Sequence, residues 1–225
     1  MKIISTLGPS SINKKFLNFA SKEIDLIRLN MSHLSIEKLE KNIKVIKKNC
    51  KTPICIDTEG AQIRTKIKKI KNYELGEIVD INETKGNFTL YPSKVYRSLR
   101  VDDILNIGFD GLLIKIIKIS KKIIAKVVRS GKLENNKGVH LENRKIKLMY
   151  LTVKDLKAIE IGKKYKIKNF ALSFTNSVDD MIKFNQLLKK ENKIFKIKTK
   201  NAVKNFNKMI KYGKNFLIDS GDLSK

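Results

Sequence analysis

Ile24-Asp25-Leu26-Ile27-Arg28-Leu29-Asn30 and Pro53-Ile54-Cys55-Ile56-Asp57 are two short apolar runs, and between them Ile36, Leu39, Ile43 and Ile46 recur at intervals of three, four and three. The runs have the length of buried strands, while the intervals put four apolar side chains on one face of a helix that Ser35 can cap. Strand, helix and strand in succession form a βαβ unit with a parallel sheet. The same rhythm extends toward the start, where residues 2–6 read as a strand and residues 11–20 as a helix with Phe16, Leu17 and Ala20 as its apolar positions.

From about residue 65 to 145 the texture changes to period-two alternation, as in Glu77-Ile78-Val79-Asp80-Ile81 and Leu113-Ile114-Lys115-Ile116-Ile117-Lys118-Ile119, with Asn87, Gly108 and Gly131 as turn residues. That period marks half-buried strands, so an all-β insertion is expected. The β/α rhythm resumes at Thr152-Val153-Lys154-Asp155, which has capping-box spacing and precedes Leu156 and Ile159. Residues 167–173, 194–198 and 216–219 read as further strands. Between them, a helix opens at Ser177 with Asp179 and Asp180 in its first turn and Lys189 and Lys190 in its last, complementing the helix dipole. Another spans 201–212, with Val203, Phe206 and Ile210 inward and Gly213 as its stop.

Six strands alternating with helices fit an open doubly wound sheet or part of an eight-stranded barrel. No Gly-x-Gly-x-x-Gly follows a strand and no Gly-x-x-x-x-Gly-Lys-Ser/Thr loop exists, so the usual nucleotide fingerprints are absent. Polar residues gather instead at strand ends: Thr6, Arg28 with Asn30 and Ser32, Asp57 with Thr58, Lys196, and Asp222. In a barrel, that rim holds the site.

Length and composition narrow the function classes. At 225 residues the chain makes one large domain or two modest ones, and with 41% apolar and 32% charged residues it is too hydrophobic for disorder and too interrupted by lysine for a membrane span. The opening residues hold no apolar run of secretory length, so the cytoplasm is the expected address. The formal charge of +27 suggests polyanionic partners, yet only six basic residues are arginine (Arg28, Arg64, Arg97, Arg100, Arg129, Arg144), and the lysines spread over the whole chain. Readers of nucleic acid favour the guanidinium fork, so the surplus reads as a solvated lysine surface that attracts small phosphorylated anions. Cys50 and Cys55 have no further Cys or His pair at ligand spacing, which removes a zinc signature, and Cys55 is expected in the core.

Three motifs at the ends of the first three strands carry a resemblance: Thr6-Leu7-Gly8-Pro9, Arg28-Leu29-Asn30-Met31-Ser32-His33 and Asp57-Thr58-Glu59-Gly60-Ala61-Gln62-Ile63-Arg64. In this order they resemble the opening of pyruvate kinase, and the β insertion resembles that family's mobile lid, with Asp110-Gly111 and Lys137-Gly138-Val139 as landmarks. The resemblance spans the chain and covers the first half of such an enzyme. It implies a partial TIM (β/α) barrel over residues 1–64 and 146–225 and a β-barrel lid over 65–145. It also implies a glycolytic phosphotransferase that moves the phosphoryl group of phosphoenolpyruvate to ADP, giving pyruvate and ATP, with Mg2+ and K+ as cofactors. By resemblance Arg28 holds the substrate phosphate. Lys196, registered on Val203-Lys204-Asn205-Phe206, is the catalytic lysine that neutralises the transferring group and the developing enolate. Asn30, Ser32, Asp57 and Thr58 would hold potassium, Gly221 and Asp222 the substrate, Asp222 also magnesium, and Asn30, His33, Arg64 and Lys137 the nucleotide.

Several positions depart from the family's pattern. The register that sets Lys196 puts Lys198 at a metal-binding glutamate, Ser220 stands where an arginine precedes the glycine, and Glu59, Ala61 and Gln62 are milder departures. At that position the Lys198 ammonium is expected to weaken Mg2+ binding by repulsion, unless it swings into solvent or, with a register shifted by two, is itself the catalytic lysine. Two other readings therefore stay in play: a non-catalytic or reassigned relative that binds a phosphorylated or carboxylate ligand, and a lysine-rich RNA-binding protein. With six strands read, little turnover is expected from this chain alone, and a homo-oligomer that closes the barrel joins the expected partners.

Overall fold

The computed structural model describes residues 2–60, 62–82, 86–108 and 111–223, without the side chains of residues 221 and 222. Ala61, Asp110 and the side-chain roles expected of Gly221 and Asp222 lie outside the described residues. Two compact units share the chain: residues 1–61 with 149–225, and residues 62–148. The first unit opens with β1 (Ile4–Thr6), α1 (Lys14–Glu23), β2 (Leu26–Asn30), α2 (Ile36–Asn49) and β3 (Ile54–Asp57). The second unit holds β4 (Ile63–Lys66), β5 (Lys71–Tyr73), β6 (Ile78–Ile81), β7 (Thr89–Tyr91), β8 (Ile104–Ile107), β9 (Leu112–Ile119), β10 (Ile123–Arg129), β11 (Gly131–Leu133) and β12 (Gly138–Leu141). The first unit then resumes with α3 (Val153–Lys164), β13 (Asn169–Leu172), α4 (Val178–Leu187), β14 (Asn192–Ile197), α5 (Lys200–Met209), β15 (Asn215–Ile218) and α6 (Ser220–Leu223).

The first unit's strands form one parallel sheet in the order β1-β2-β3-β13-β14-β15. A doubly wound sheet has a point where strand order reverses, and this one has none. Each strand pairs with the next strand of its own unit, which is the winding of a barrel, here a half-barrel. The order decides between the two architectures that the alternation alone left open. Thr6 pairs with Arg28, and Asn30 and Ala171 flank Asp57, so the polar strand ends share one rim.

The helices form where caps and apolar stripes agree. Ser35 Oγ accepts the Lys38 N–H at the start of α2, whose Leu39, Ile43 and Ile46 are fully buried. The capping box at Thr152 and Asp155 opens α3. α1 starts later than the apolar spacing suggests, because Asn13 accepts the Phe16 N–H and thereby becomes the cap. α4 ends at Leu187, which leaves Lys189 and Lys190 beyond its last turn. In α5 the inward residues are Ala202 and Met209, with Phe206 partly buried, while Val203 and Ile210 are exposed. Neighbouring positions lie about 100° apart on a helix, so an inward face one residue earlier turns Val203 and Ile210 toward water. Likewise α3 buries Ile159 and Asp155 and exposes Leu156. Gly213 is extended rather than left-handed, so it is not the αL stop its position suggested.

α3 lies close on its sheet: a Cβ at Gly162 would stand 2.7 Å from Ile56 Cδ1 and 2.7 Å from Phe170 Cζ. Ile27, Leu29, Ile56, Phe170 and Phe184 belong to this unit's core, and Cys55 is buried in the same strands.

The second unit has its own core, including Ile81, Leu105, Ile107, Leu112, Ile114 and Ile116. Its antiparallel sheet runs β6-β10-β9-β8-β12-β4-β7, and a bridge between Ile81 of β6 and Phe88, just before β7, nearly closes it into a barrel. β5 and β11 pair as a separate ribbon. Among the described residues, no helix is long and apolar enough to cross a membrane.

Candidate active site

β3 ends in a fully buried carboxylate. Asp57 Oδ2 accepts from Arg28 Nε at 2.6 Å, and it lies 2.5 Å from Arg28 Nη2 and 3.1 Å from Lys196 Nζ. Arg28 Nη1 donates to Thr6 Oγ1 at 2.9 Å, so β1, β2, β3 and β14 are tied together at one rim. β13 stands between β3 and β14, and Lys196 reaches over it to Asp57. Lys196 is 2% exposed, and burial pulls its ammonium below the ordinary lysine range. Asp57 opposes that shift, whereas the positive charges of Lys198 and Arg28 add to it.

A second carboxylate, Asp219, follows β15 and lies 3.6 Å from Lys196 Nζ and 3.3 Å from Lys198 Nζ. The Lys198 ammonium also sits 4.7 Å from the centroid of the Phe174 ring. With its side chain only 11% exposed, Lys198 is folded into the rim and does not swing into solvent. Both lysines of the pair therefore face this rim, and Lys196, in contact with Asp57 and Arg28's partner oxygen, is the one at its buried centre.

The remaining oxygens expected at the rim are close by in sequence and structure. Asn30 Oδ1 accepts from Ser32 N at 3.0 Å, Thr58 Oγ1 accepts from Ser173 N at 3.1 Å, and His33 N donates to the Asn30 carbonyl at 3.1 Å. Among the described residues, Asp57 Oδ1 is buried without a hydrogen-bond partner. Arg64 and Lys137 belong to the second unit, where Arg64 Nη1 donates to the Asn136 carbonyl at 3.0 Å and Lys137 Nζ lies 3.0 Å from Glu134. Among the described residues, no group of three or more His, Cys, Asp or Glu side chains converges to hold a metal ion.

A buried network that motif spacing does not disclose supports the rim. The Asp155 carboxylate, fully buried, accepts from Glu59 N at 2.8 Å, Thr152 N at 2.9 Å and Gly60 N at 3.2 Å. Glu59 in turn accepts from Thr152 Oγ1 at 2.9 Å and from Lys154 Nζ at 2.9 Å, and Lys154 Nζ also donates to the Met31 carbonyl at 2.5 Å. Burial raises the Asp155 pKa, the N–H donors of Thr152 and Glu59 resist, and the Glu59 charge raises it further. The network fixes the segment after Thr58 and the turn after Asn30 to the start of α3. The capping-box spacing marks Asp155 as a cap partner, but nothing in the spacing places Glu59 beside it.

Residues 1–224 match the family model described as "Pyruvate kinase, barrel domain". The chain belongs to the pyruvate kinase family. It is 30% identical to the pyruvate kinase of Methanocaldococcus jannaschii over 99% of this chain and 49% of that protein. It is 34% identical to the pyruvate kinase of Buchnera aphidicola over 84% of this chain and 43% of the relative. With a Staphylococcus aureus pyruvate kinase it shares 28% identity over 99% of this chain and 41% of the relative. The chain thus spans less than half the length of these curated relatives. Of the three motifs that resemble pyruvate kinase, the described residues bring Thr6, Arg28 and Asp57 into one hydrogen-bonded line.

Proposed function

We propose that this chain carries the phosphoenolpyruvate side of a pyruvate kinase reaction, in which the phosphoryl group passes to ADP and the enolpyruvate left behind is protonated to pyruvate. The observation that carries the reading is the Arg28, Asp57 and Lys196 cluster at the rim of the half-barrel sheet. Phosphoryl transfer asks for positioning and charge neutralisation more than for covalent chemistry. Arg28 supplies a planar fork for the phosphate oxygens, and Lys196 an ammonium for the negative charge that develops on the enolate oxygen as the P–O bond breaks. Asp57 holds both cations in place until an anion competes for them. Within the first unit, His33 and Asn30 are the nucleotide-side residues of this reading.

The two cations of the reading fare differently. The donor set supports potassium: among the described residues Asp57 Oδ1 is buried and lacks a hydrogen-bond partner, and Asn30, Ser32 and Thr58 add neutral oxygens suited to a hard cation. Such an ion supplies fixed positive charge beside the phosphate. Magnesium finds less support: an ammonium occupies the position of one expected carboxylate, Asp219 is engaged by Lys196 and Lys198, and the side chain of Asp222, the carboxylate expected to hold the ion, lies outside the described residues. That favours a second reading, a reassigned relative that binds a phosphorylated carboxylate without transferring its phosphoryl group.

Calorimetric titration with phosphoenolpyruvate in KCl, with 31P NMR of transfer to ADP, tests both. Saturable binding that weakens at least about tenfold in Arg28→Ala and Lys196→Met is expected, a loss of about 1.4 kcal/mol or more. Transfer by the parent decides for the first reading, and binding without transfer for the second. Binding indifferent to both substitutions would overturn the site.

A further inference from the structure

The geometry points to a rim that takes its anion without a divalent metal ion, the Lys198 ammonium standing where such an ion would otherwise be needed. The inference rests on the reading that the rim binds a phosphorylated carboxylate, and it concerns what neutralises that ligand. Lys198 is held as a fixed cation: Asp219 Oδ2 is 3.3 Å from its Nζ, the Phe174 ring lies under it at 4.7 Å, and its side chain is 11% exposed. A ring face and a carboxylate together restrain an ammonium that would otherwise be mobile on a four-carbon stem.

Charge counting supports the same conclusion. Among the described side chains in this chain of contacts, Arg28, Lys196 and Lys198 set three positive charges against the two negative charges of Asp57 and Asp219. Among the described side chains, a divalent cation finds Asp219 already shared by two ammoniums, whereas an anion finds three cationic donors. The ligand class follows from the donors: a guanidinium fork for phosphate oxygens at Arg28, and ammonium point charges at Lys196 and Lys198 for a neighbouring carboxylate or enolate oxygen.

The test compares the 225-residue chain with Lys198→Glu and Lys198→Gln, each checked for a parent-like circular dichroism spectrum. Phosphoenolpyruvate titrated in EDTA and in Mg2+ is expected to bind the parent within about threefold of the same affinity. Lys198→Glu is expected to lose about tenfold or more in EDTA and to recover in Mg2+. Mn2+ titration followed by electron paramagnetic resonance is expected to show binding to Lys198→Glu and none to the parent or to Lys198→Gln. Parent affinity that rises tenfold with Mg2+, or parent binding of Mn2+ as tight as that of Lys198→Glu, would overturn the inference. The Mn2+ comparison needs no phosphoenolpyruvate, so it judges Lys198 even if absence of phosphoenolpyruvate binding has ended the reading from which the ligand class was taken.

Discussion

Replacing Asp57 by Asn keeps the volume of a fully buried side chain and removes the charge that holds Arg28 and Lys196. At 3.1 Å, the Asp57 to Lys196 attraction is about 5 kcal/mol at an effective dielectric of 20, before desolvation is set against it. Removing one partner of a buried pair costs about 3–5 kcal/mol, because the other charge is left buried. We expect Asp57→Asn to lose about 3 kcal/mol at pH 7, since Lys196 keeps Asp219 at 3.6 Å but is repelled by Arg28 and Lys198. Lys196→Met should cost less, about 1 kcal/mol, because Asp57 still has Arg28. The double variant should then fall short of the sum by about 2 kcal/mol.

The pH dependence has a definite sign. Burial already depresses the Lys196 pKa below 10.5, and loss of Asp57 removes the influence that raises it. A lysine depressed in the folded state carries its penalty in full below the folded pKa, and the penalty is relieved as pH rises through that value toward 10.5. The deficit of Asp57→Asn relative to the parent should therefore narrow as the pH rises toward 10.5. Urea unfolding of the four proteins, compared by midpoint at constant m, measures all of this. Additivity within about 0.5 kcal/mol, or a deficit that widens with pH, would refute the reasoning.

Three further outcomes are expected. Asp155→Ala leaves three buried backbone N–H groups without their acceptor and should cost about 2–4 kcal/mol in the same urea assay, part of the loss being offset by no longer burying a carboxylate. Gly162→Ala forces a methyl group to within 2.7 Å of Ile56 and Phe170 and should cost about 1–3 kcal/mol, read as a lower thermal midpoint. Residues 62–148 expressed alone should unfold cooperatively with a β-type circular dichroism spectrum, because their core is built from their own side chains; a spectrum of unfolded chain would contradict this.

What was legible in the sequence is what depends on near neighbours. The Ser35 cap, the stripe of Leu39, Ile43 and Ile46 and the Thr152 capping box are contacts over three or four residues, and they stand in the structure as read. The rim residues Arg28, Asp57 and Lys196 were legible as strand ends, but their contact depends on the strand order, which alternation does not encode. Apolar content misled where tertiary packing chose the face. α5 turns Ala202 and Met209 inward and leaves Val203 and Ile210 in water, and α3 buries Asp155 in preference to Leu156. Asp155 is inward because Glu59 and Gly60, almost a hundred residues away in sequence, present N–H groups to it. Lys198 follows the same logic: its residue type promised a solvated charge, and Asp219 with Phe174 folds it in.

The adjacency of β3 and β13 has a kinetic consequence. Thr58 and Ser173, joined by a hydrogen bond beside that pair, are 115 residues apart in the chain. Bringing such distant segments together costs loop entropy that grows by about 0.6 kcal/mol for each doubling of length. The second unit shortens the effective tether once it has folded, because its entry strand β4 and its last strand β12 pair directly, Arg64 with Gly138 and Ile63 with Val139. Folding of the β unit should thus precede closure of the parallel sheet. Substitutions that loosen the β core, such as Ile114→Ala, should slow assembly of the half-barrel far more than they speed its unfolding.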